Sequence, residues 1–436
     1  MEEKLSGEID ECHSWKIYLI SYIHNSWMKS IVLISLSTPT FNNVRAASAL
    51  PYHLVLGAKW SGDYEVEVWT FNLNGIDAEG IRESERQLGV NIHVLPKHSW
   101  YRWLFRLRLV FLRVLLRYPM LSYFKLDDDT IKQVGAFKPD IVWIYGEELA
   151  GLAACFKGKK RIVTMPDCET MYYHRALTMN FLTEKLGQVL RYGFAYWQYR
   201  NMDRRNHALA ACSKDDASEV TYHFVGEADA AFYRDINPSA DAIFLRHPHY
   251  AWRDRQIRFH TPKIRLLFAG RYDFYCQHGS DALLSAMLAA TEALKDKYEV
   301  TFLGKGWDSW CSRLVEVGWT AHVVAFAPDY IEELQRHDIQ INAIDLGTGT
   351  KGKVLDAICN GLLAFGTPYA VENIAVENGV GCVEYHSVEE AVFVLRDIPA
   401  NTAKYELMAE AGRRQVLKEH SRKKIAAELF GGDAKI

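Results

Sequence analysis

Residues Gly347 to Gly361 read GTGTKGKVLDAICNG and follow, after Asp345 and Leu346, the apolar run IQINAI at Ile339 to Ile344. An apolar run that stops at closely spaced glycines and then enters a helical pattern has the geometry of a phosphate loop. The glycines let backbone N–H groups approach an anion, and Thr348 and Thr350 add hydroxyl donors. A helix start near Gly352 supplies a positive dipole end, and Lys351 and Lys353 bring charge. A flexible, solvated turn with two surface lysines would use the same residues, because short glycine motifs are individually weak.

Outward from this loop, short apolar runs alternate with longer amphipathic stretches, the pattern of parallel sheets covered by helices on both faces. The expected strands of a first domain are Ile31 to Leu36, Glu65 to Thr70, Asn91 to Leu95, Asp140 to Tyr145, Arg161 to Met165 and Ala208 to Cys212. Those of a second are Ile264 to Ala269, Glu299 to Leu303, His322 to Phe326, Ile339 to Ala343 and Leu362 to Phe365, with a helix over Asp281 to Ala293. The polar stretch His247 to Pro262 separates the two series, which sets domains at 1–247 and 248–436, the last helix packing back on the first. The fold class is α/β, with two doubly wound domains whose strand C-termini face a shared cleft.

Composition agrees with that architecture. The 436 residues are 49% hydrophobic, 24% charged and 13% aromatic, which excludes disorder and allows two or three packed domains. With 51 basic and 54 acidic side chains, the net charge of −3 gives no global field for nucleic acid. The eight cysteines are scattered singly, without CxxC pairs or histidines at metal-ligand spacing, and read as reduced core thiols. The acidic start, and apolar residues interrupted by Lys16, His24 and Lys29, match neither a signal peptide nor a membrane span, so the expected location is cytoplasmic.

The longer segment GTGTKGKVLDAICNGLLAFGT resembles the C-terminal donor-binding signature of GT-B glycosyltransferases, in particular the glycosyltransferase family 4 type, G-S/T-G-x-K-x-K-x-L-E-A followed by M/L-A-x-G-x-P-V-V-x-T. The resemblance implies two Rossmann-like domains and a nucleotide diphosphate sugar as donor, with no further cofactor and no bound metal. It places Asp356 on the donor ribose. Gly347, Thr348, Gly349, Thr350, Lys351 and Lys353 fall on the diphosphate, while the family's first glutamate is replaced by Thr348. IRLLFAGRYDFYCQHGSDALLSAM resembles the opening of the family's second domain, with Arg271 on the diphosphate and His278 where a lysine is usual.

Three further segments belong to the same resemblance. IVLISLSTPTFNNVRAASALPYHL is similar to the first strand and loop of the acceptor domain, with Asn42 and Asn43 at a usual Gly-Gly pair and Arg45 either reaching the cleft or lying on a helix-start surface. RIVTMPDCETMYYHRAL is similar to the strand and loop that carry His-Asp facing the reacting sugar; Pro166 and Asp167 stand there, and Asp167 reads equally as an N-cap. ALAACSKDDASEV is similar to the last strand and helix of the first domain.

One feature lies outside these motifs. SWYRWLFRLRLVFLRVLLRYP, Ser99 to Pro119, holds five arginines and no acid. As one helix it places Arg102, Arg106, Arg113 and Arg117 within roughly 60° of one another at about 100° per residue. It reads either as a peripheral helix on an anionic membrane surface, at the inner face of the plasma membrane, or as a core helix with one basic face. Asp127, Asp128 and Asp129, just beyond it, read as a solvated cap.

The function implied is transfer of a sugar from a nucleotide diphosphate sugar to a glycan or lipid-linked glycan, with retention, in cell-surface polysaccharide synthesis. Asp167, Arg271 and Lys351 are the candidate catalytic residues. A nucleotide-sugar epimerase, a glycan phosphorylase of the same architecture and a non-catalytic scaffold stay open as alternatives.

Overall fold

The computed structural model describes residues 28–41, 46–178, 186–211, 220–274 and 276–431. Asn43 and Arg45 lie outside them, as do Cys12 and Cys212.

Two parallel sheets organise the chain. The first contains β1 (Lys29–Ser35), β2 (Tyr64–Thr70), β3 (Asn91–Val94), β4 (Ile141–Tyr145), β5 (Lys160–Met165), β6 (Val220–Phe224) and β7 (Asp241–Phe244) in the order β3-β2-β1-β4-β5-β6-β7. The second contains β8 (Ile264–Ala269), β9 (Tyr298–Leu303), β10 (Thr320–Val324), β11 (Ile339–Asn342), β12 (Leu363–Gly366) and β13 (Val383–Glu384) in the order β10-β9-β8-β11-β12-β13. The expected doubly wound α/β class is therefore observed. Its physical signature is plain in β1. Ile31 and Leu33 enter one core, Val32 and Ile34 the core on the opposite face, and all four are fully buried. A strand covered on both faces needs a continuous apolar run rather than an alternating one.

In both sheets the order reverses beside the first strand, between β1 and β4 and between β8 and β11. Such switch points open crevices at the strand C-termini. The chain leaves the first sheet at Phe244 and enters the second at Ile264. It returns at its end: the helix Arg422–Gly431 lies on Ala46–Ser61, and Phe430 packs against Trp143 and Tyr64 in the first core. At the crossing, Gly57 is irreplaceable, because a Cβ there would stand 2.3 Å from the Arg422 carbonyl oxygen.

Several expectations are corrected. Ala208 to Ala211 end the long helix Leu186–Ala211 rather than forming a strand, and the last strands of the first sheet are β6 and β7. Alanine favours helix, whereas VTYHF in β6 carries the β-branched and aromatic residues of a strand. The helix expected from Asp281 starts earlier, over Gln277–Ala289. Ser99 to Pro119 is not one helix. An α-helix over Ser99–Arg106 stops, Arg108 takes φ +56°, and a 3-10 helix follows over Val110–Leu115. Its apolar residues are not core: Trp103, Phe111 and Leu115 are 56, 64 and 77% exposed. Without a surface to bury them, a short helix has little to hold it. Asp127 does cap the helix Asp128–Ala136, accepting from the Thr130 N–H. Of the six described cysteines, all unbridged, Cys168, Cys359 and Cys382 are buried but Cys155 is exposed. Among the described residues no helix is long and apolar enough to cross a membrane.

Candidate active site

The glycine loop leaves β11 at the second switch point and enters the helix Gly352–Cys359, as its sequence predicts. The two sheets' crevices meet over it. Gly270, Arg271, Thr350, Gly352 and Lys353 line two adjoining cavities of about 480 and 420 Å³.

The larger cavity is walled by Tyr250, Phe326 and Tyr330, with Asp356 among its lining residues. Asp356 sits in the second turn of its helix, and its Oδ1 has no hydrogen-bond partner. Burial pushes its carboxyl up to about 7, against the opposing pull of Arg422. The Tyr330 hydroxyl is likewise buried without a partner. This cavity thus offers aromatic surface for a flat ring and an unspent acceptor for hydroxyl donors.

The smaller cavity carries Asp167 and Glu169 on the first domain's side. Both follow β5, and both carboxyls are raised. Burial, then the neighbouring Asp229, pushes Asp167 up to about 6, while Lys351 and the Thr348 hydroxyl hold it down. Burial, then Asp167 and Glu148, pushes Glu169 up to about 8. At neutral pH Glu169 is mostly a proton donor and Asp167 mostly an acceptor, the separation of roles that paired carboxyls acquire from unequal surroundings. A third cavity of about 210 Å³ opens from the same two residues toward the ends of β1 and β4, past Ser37 and Tyr145.

Between the two larger cavities stand the cations. Arg271 follows β8, and Lys353 opens the helix with its Nζ over Gly270: a Cβ on that glycine would lie 2.6 Å from it. Both side chains are exposed to the cleft. The first-turn N–H groups at Gly352 and Lys353 have no carbonyl one turn earlier to bond, and the helix dipole adds to the positive potential.

Lys351 is different. It is buried, and its Nζ donates to the carbonyls of Thr348 at 2.9 Å and Gly349 at 3.3 Å. Burial lowers its pKa, with Glu372, Asp167 and Asp229 opposing. It therefore braces the loop from within and adds a screened charge. The two threonines are also engaged: Thr350 Oγ1 donates to the Val225 carbonyl at 2.7 Å, and Thr348 Oγ1 to Asp167 at 3.3 Å. Arg175 reaches across to the Gly347 carbonyl at 2.5 Å and pairs with Glu372 at 3.2 Å. His278 is exposed and bonded to Asp345 at 2.9 Å.

The structure thus brings Asp167, Arg271, Gly347 to Lys351, Lys353 and Asp356 to one cleft. Sequence reasoning missed the buried acids behind it. Glu147, Cys168 and Asp203 place their ligand atoms within 4.8 Å of one another, and Thr170 donates to Asp203 at 2.6 Å. Burial raises all three, Asp203 to about 6. No spacing signals it, since its members come from three separate elements.

Residues 283–431 match the family model described as glycosyl transferase-like. No curated protein matches the chain in sequence. Among solved structures it is similar to Anabaena HepE in complex with UDP and glucose, at 10% identity and TM-score 0.58, over 94% of this chain and 100% of that one. Sucrose-phosphate synthase from Thermosynechococcus elongatus gives 10% identity and TM-score 0.59, over 92 and 98%. WaaG, a glycosyltransferase involved in lipopolysaccharide biosynthesis, gives 14% identity and TM-score 0.53, over 92 and 100%. At such identities the likeness is one of fold, and that fold is GT-B. The matched domain and this architecture support a glycosyltransferase, as the sequence resemblance implies.

Proposed function

We propose that this chain transfers a sugar from a nucleotide diphosphate sugar to a hydroxyl of a glycan or lipid-linked glycan. One observation carries the reading: the cations and the helix start sit where two cavities adjoin, an aromatic one with the unpartnered Asp356 carboxyl and one with Glu169, while Asp167 borders both. A nucleoside fits the first, a sugar the second, and the diphosphate between them lies on Arg271 and Lys353. Residues 248–436 then act as the donor domain and 1–247 as the acceptor domain, with the acceptor entering by the cavity past Ser37.

The chemistry follows from the charges. The bond between the anomeric carbon and the phosphate oxygen breaks and the leaving diphosphate takes the electron pair, while the acceptor hydroxyl oxygen bonds that carbon and its proton passes to the departing diphosphate. Arg271, Lys353 and the helix start meet the charge that develops, the largest single demand of such a step. Asp356 accepts from the ribose hydroxyls, while Asp167 and Glu169 accept from and donate to the sugar. The family resemblance supplies the expectation of retention, and the arginine-rich segment Ser99 to Pro119 that of a role in cell-surface polysaccharide synthesis.

A membrane-borne acceptor has its own support. Trp103, Phe111 and Leu115 stay exposed among five arginines, and Gln198 of the helix Leu186–Ala211, which exposes Leu186 and Leu190, bonds the Leu116 carbonyl. Basic and apolar residues combined in this way suit an anionic lipid surface.

The deciding experiment titrates UDP, GDP, dTDP and CMP calorimetrically and then follows turnover of the matching nucleotide sugar. Selective binding and donor consumption only with acceptor present are expected. Turnover without acceptor would make the chain an epimerase, dependence on inorganic phosphate a phosphorylase, and absence of any nucleotide binding a scaffold.

A further inference from the structure

The donor loop is held less by its own domain than by the opposite one. Asp229, in the first turn of the helix Glu227–Ile236, is completely buried, and its two oxygens serve two different loops. Oδ1 accepts from the Cys168 N–H at 2.8 Å, next to Asp167. Oδ2 accepts from the Gly349 N–H at 3.0 Å, across the cleft. One carboxylate thereby sets the distance between the acceptor-side carboxyl and the donor loop.

The surroundings are shaped to that contact. Gly349 takes φ +60°, and a Cβ on it would stand 2.4 Å from Asp167 Oδ1 and 2.7 Å from the Pro166 carbonyl oxygen. On the first domain Gly226 leaves room for the carboxylate, since a Cβ there would overlap Asp229 Oδ2. Asn373, from the second domain, reciprocates. Its Nδ2 donates to the Gly349 carbonyl at 2.8 Å, and its Oδ1 accepts from the Glu227 N–H at 3.0 Å, one of the N–H groups the helix itself cannot satisfy. Both backbone groups of Gly349 are therefore spent on holding the loop, and its N–H, the one that could meet a phosphate, is taken by Asp229.

We propose that Asp229 is a positioning residue for sugar transfer: it locks the Gly349 loop against the Cys168 loop, so that the diphosphate site and the Asp167 carboxyl are in register only when the two domains are joined through it. The inference rests on the donor-site reading above. An asparagine at 229 has the same size but one acceptor oxygen; its amide N–H₂ would face the second backbone N–H and repel it. The lock would open while the buried volume stayed filled.

The test compares wild type, Asp229→Asn and Asn373→Ala for nucleotide affinity by calorimetry, for donor KM and kcat, and for radius of gyration by solution X-ray scattering. Both variants are expected to weaken nucleotide binding and raise donor KM at least tenfold, with a larger radius of gyration, because only the joined fraction binds. Wild-type affinity and radius in both variants, with at most a lower melting temperature, would overturn the lock and leave Asp229 a stabilising residue of the first domain. Should Asp229→Asn fail to fold, Asn373→Ala alone decides, as Asn373 joins the same loop from the other side. If wild type itself binds no nucleotide, the donor-site reading fails first, and the two failures are distinguishable.

Discussion

Replacing Asp356 by asparagine tests the nucleoside pocket through stability as well as binding. In the folded chain the Asp356 carboxyl is buried, its Oδ1 lacks a partner, and its pKa is pushed up to about 7 from an ordinary 3.8. A folded-state pKa raised above the unfolded one favours folding below the lower value and loses that contribution as pH rises through the higher. Each pH unit between them is worth about 1.4 kcal/mol. Between pH 5 and pH 8 ionisation of this single group therefore costs the empty protein about 3 kcal/mol, and Asp356→Asn escapes it. Urea denaturation of both proteins at pH 5, 6, 7 and 8 should show the asparagine variant gaining on wild type as pH rises, then levelling above about 7. Glu169, Asp167 and Asp203 titrate in both proteins and cancel. In the same variant the affinity for nucleotide should fall about tenfold or more, the loss of hydrogen bonds to a charged acceptor. Wild-type affinity should also rise with pH more steeply than the variant's, the nucleotide's own phosphate ionisation being common to both. Parallel stability curves, or equal nucleotide affinities, would refute the assignment.

Arg271→Ala and Lys353→Ala should each weaken nucleoside diphosphate binding by roughly tenfold while changing nucleoside monophosphate binding less, because they face the diphosphate rather than the ring; calorimetry with UDP and UMP reads the difference. Trp103→Ser with Phe111→Ser and Leu115→Ser should abolish sedimentation with anionic liposomes and spare nucleotide affinity. Undiminished co-sedimentation would remove the membrane from the account.

Much of this architecture was legible because it rests on burial. Strands covered on both faces, such as β1 and β4, appear in the sequence as unbroken apolar runs, IVLI and IVWIY, and the loop after β11 announces itself by its glycines. Lys351 shows where such reading stops. A lysine in a glycine loop looks like a phosphate ligand, yet its ammonium is turned onto the loop's own carbonyls at Thr348 and Gly349. Whether a charge faces ligand or backbone depends on rotamers and partners, and no spacing encodes them. Asp229 escaped notice for a related reason, as an acid near a helix start reads as ordinary capping. Its second partner lies 120 residues away. The segment from Ser99 to Pro119 misled through periodicity: its residues fit a helical wheel, but only its start, at Trp100 and Tyr101, packs on the core, and Trp103, Phe111 and Leu115 stay exposed.

The return of the last helix to the first core has a mechanical consequence. The chain crosses between the domains twice, and the crossings are tied: the His249 N–H donates to the His420 carbonyl at 2.8 Å, His420 Nδ1 donates to the His247 carbonyl at 2.6 Å, and the Arg422 Nε to the His249 carbonyl at 3.0 Å. One strand of polypeptide would leave a ball joint, free to twist in any direction. Two strands fastened side by side make a door hinge, whose leaves swing about one axis and meet along the same edge each time. Cutting the chain before Arg422 would remove one knuckle of that hinge and, with Phe430, the plug of the first core, so the two halves cannot be separated at a single point in the sequence.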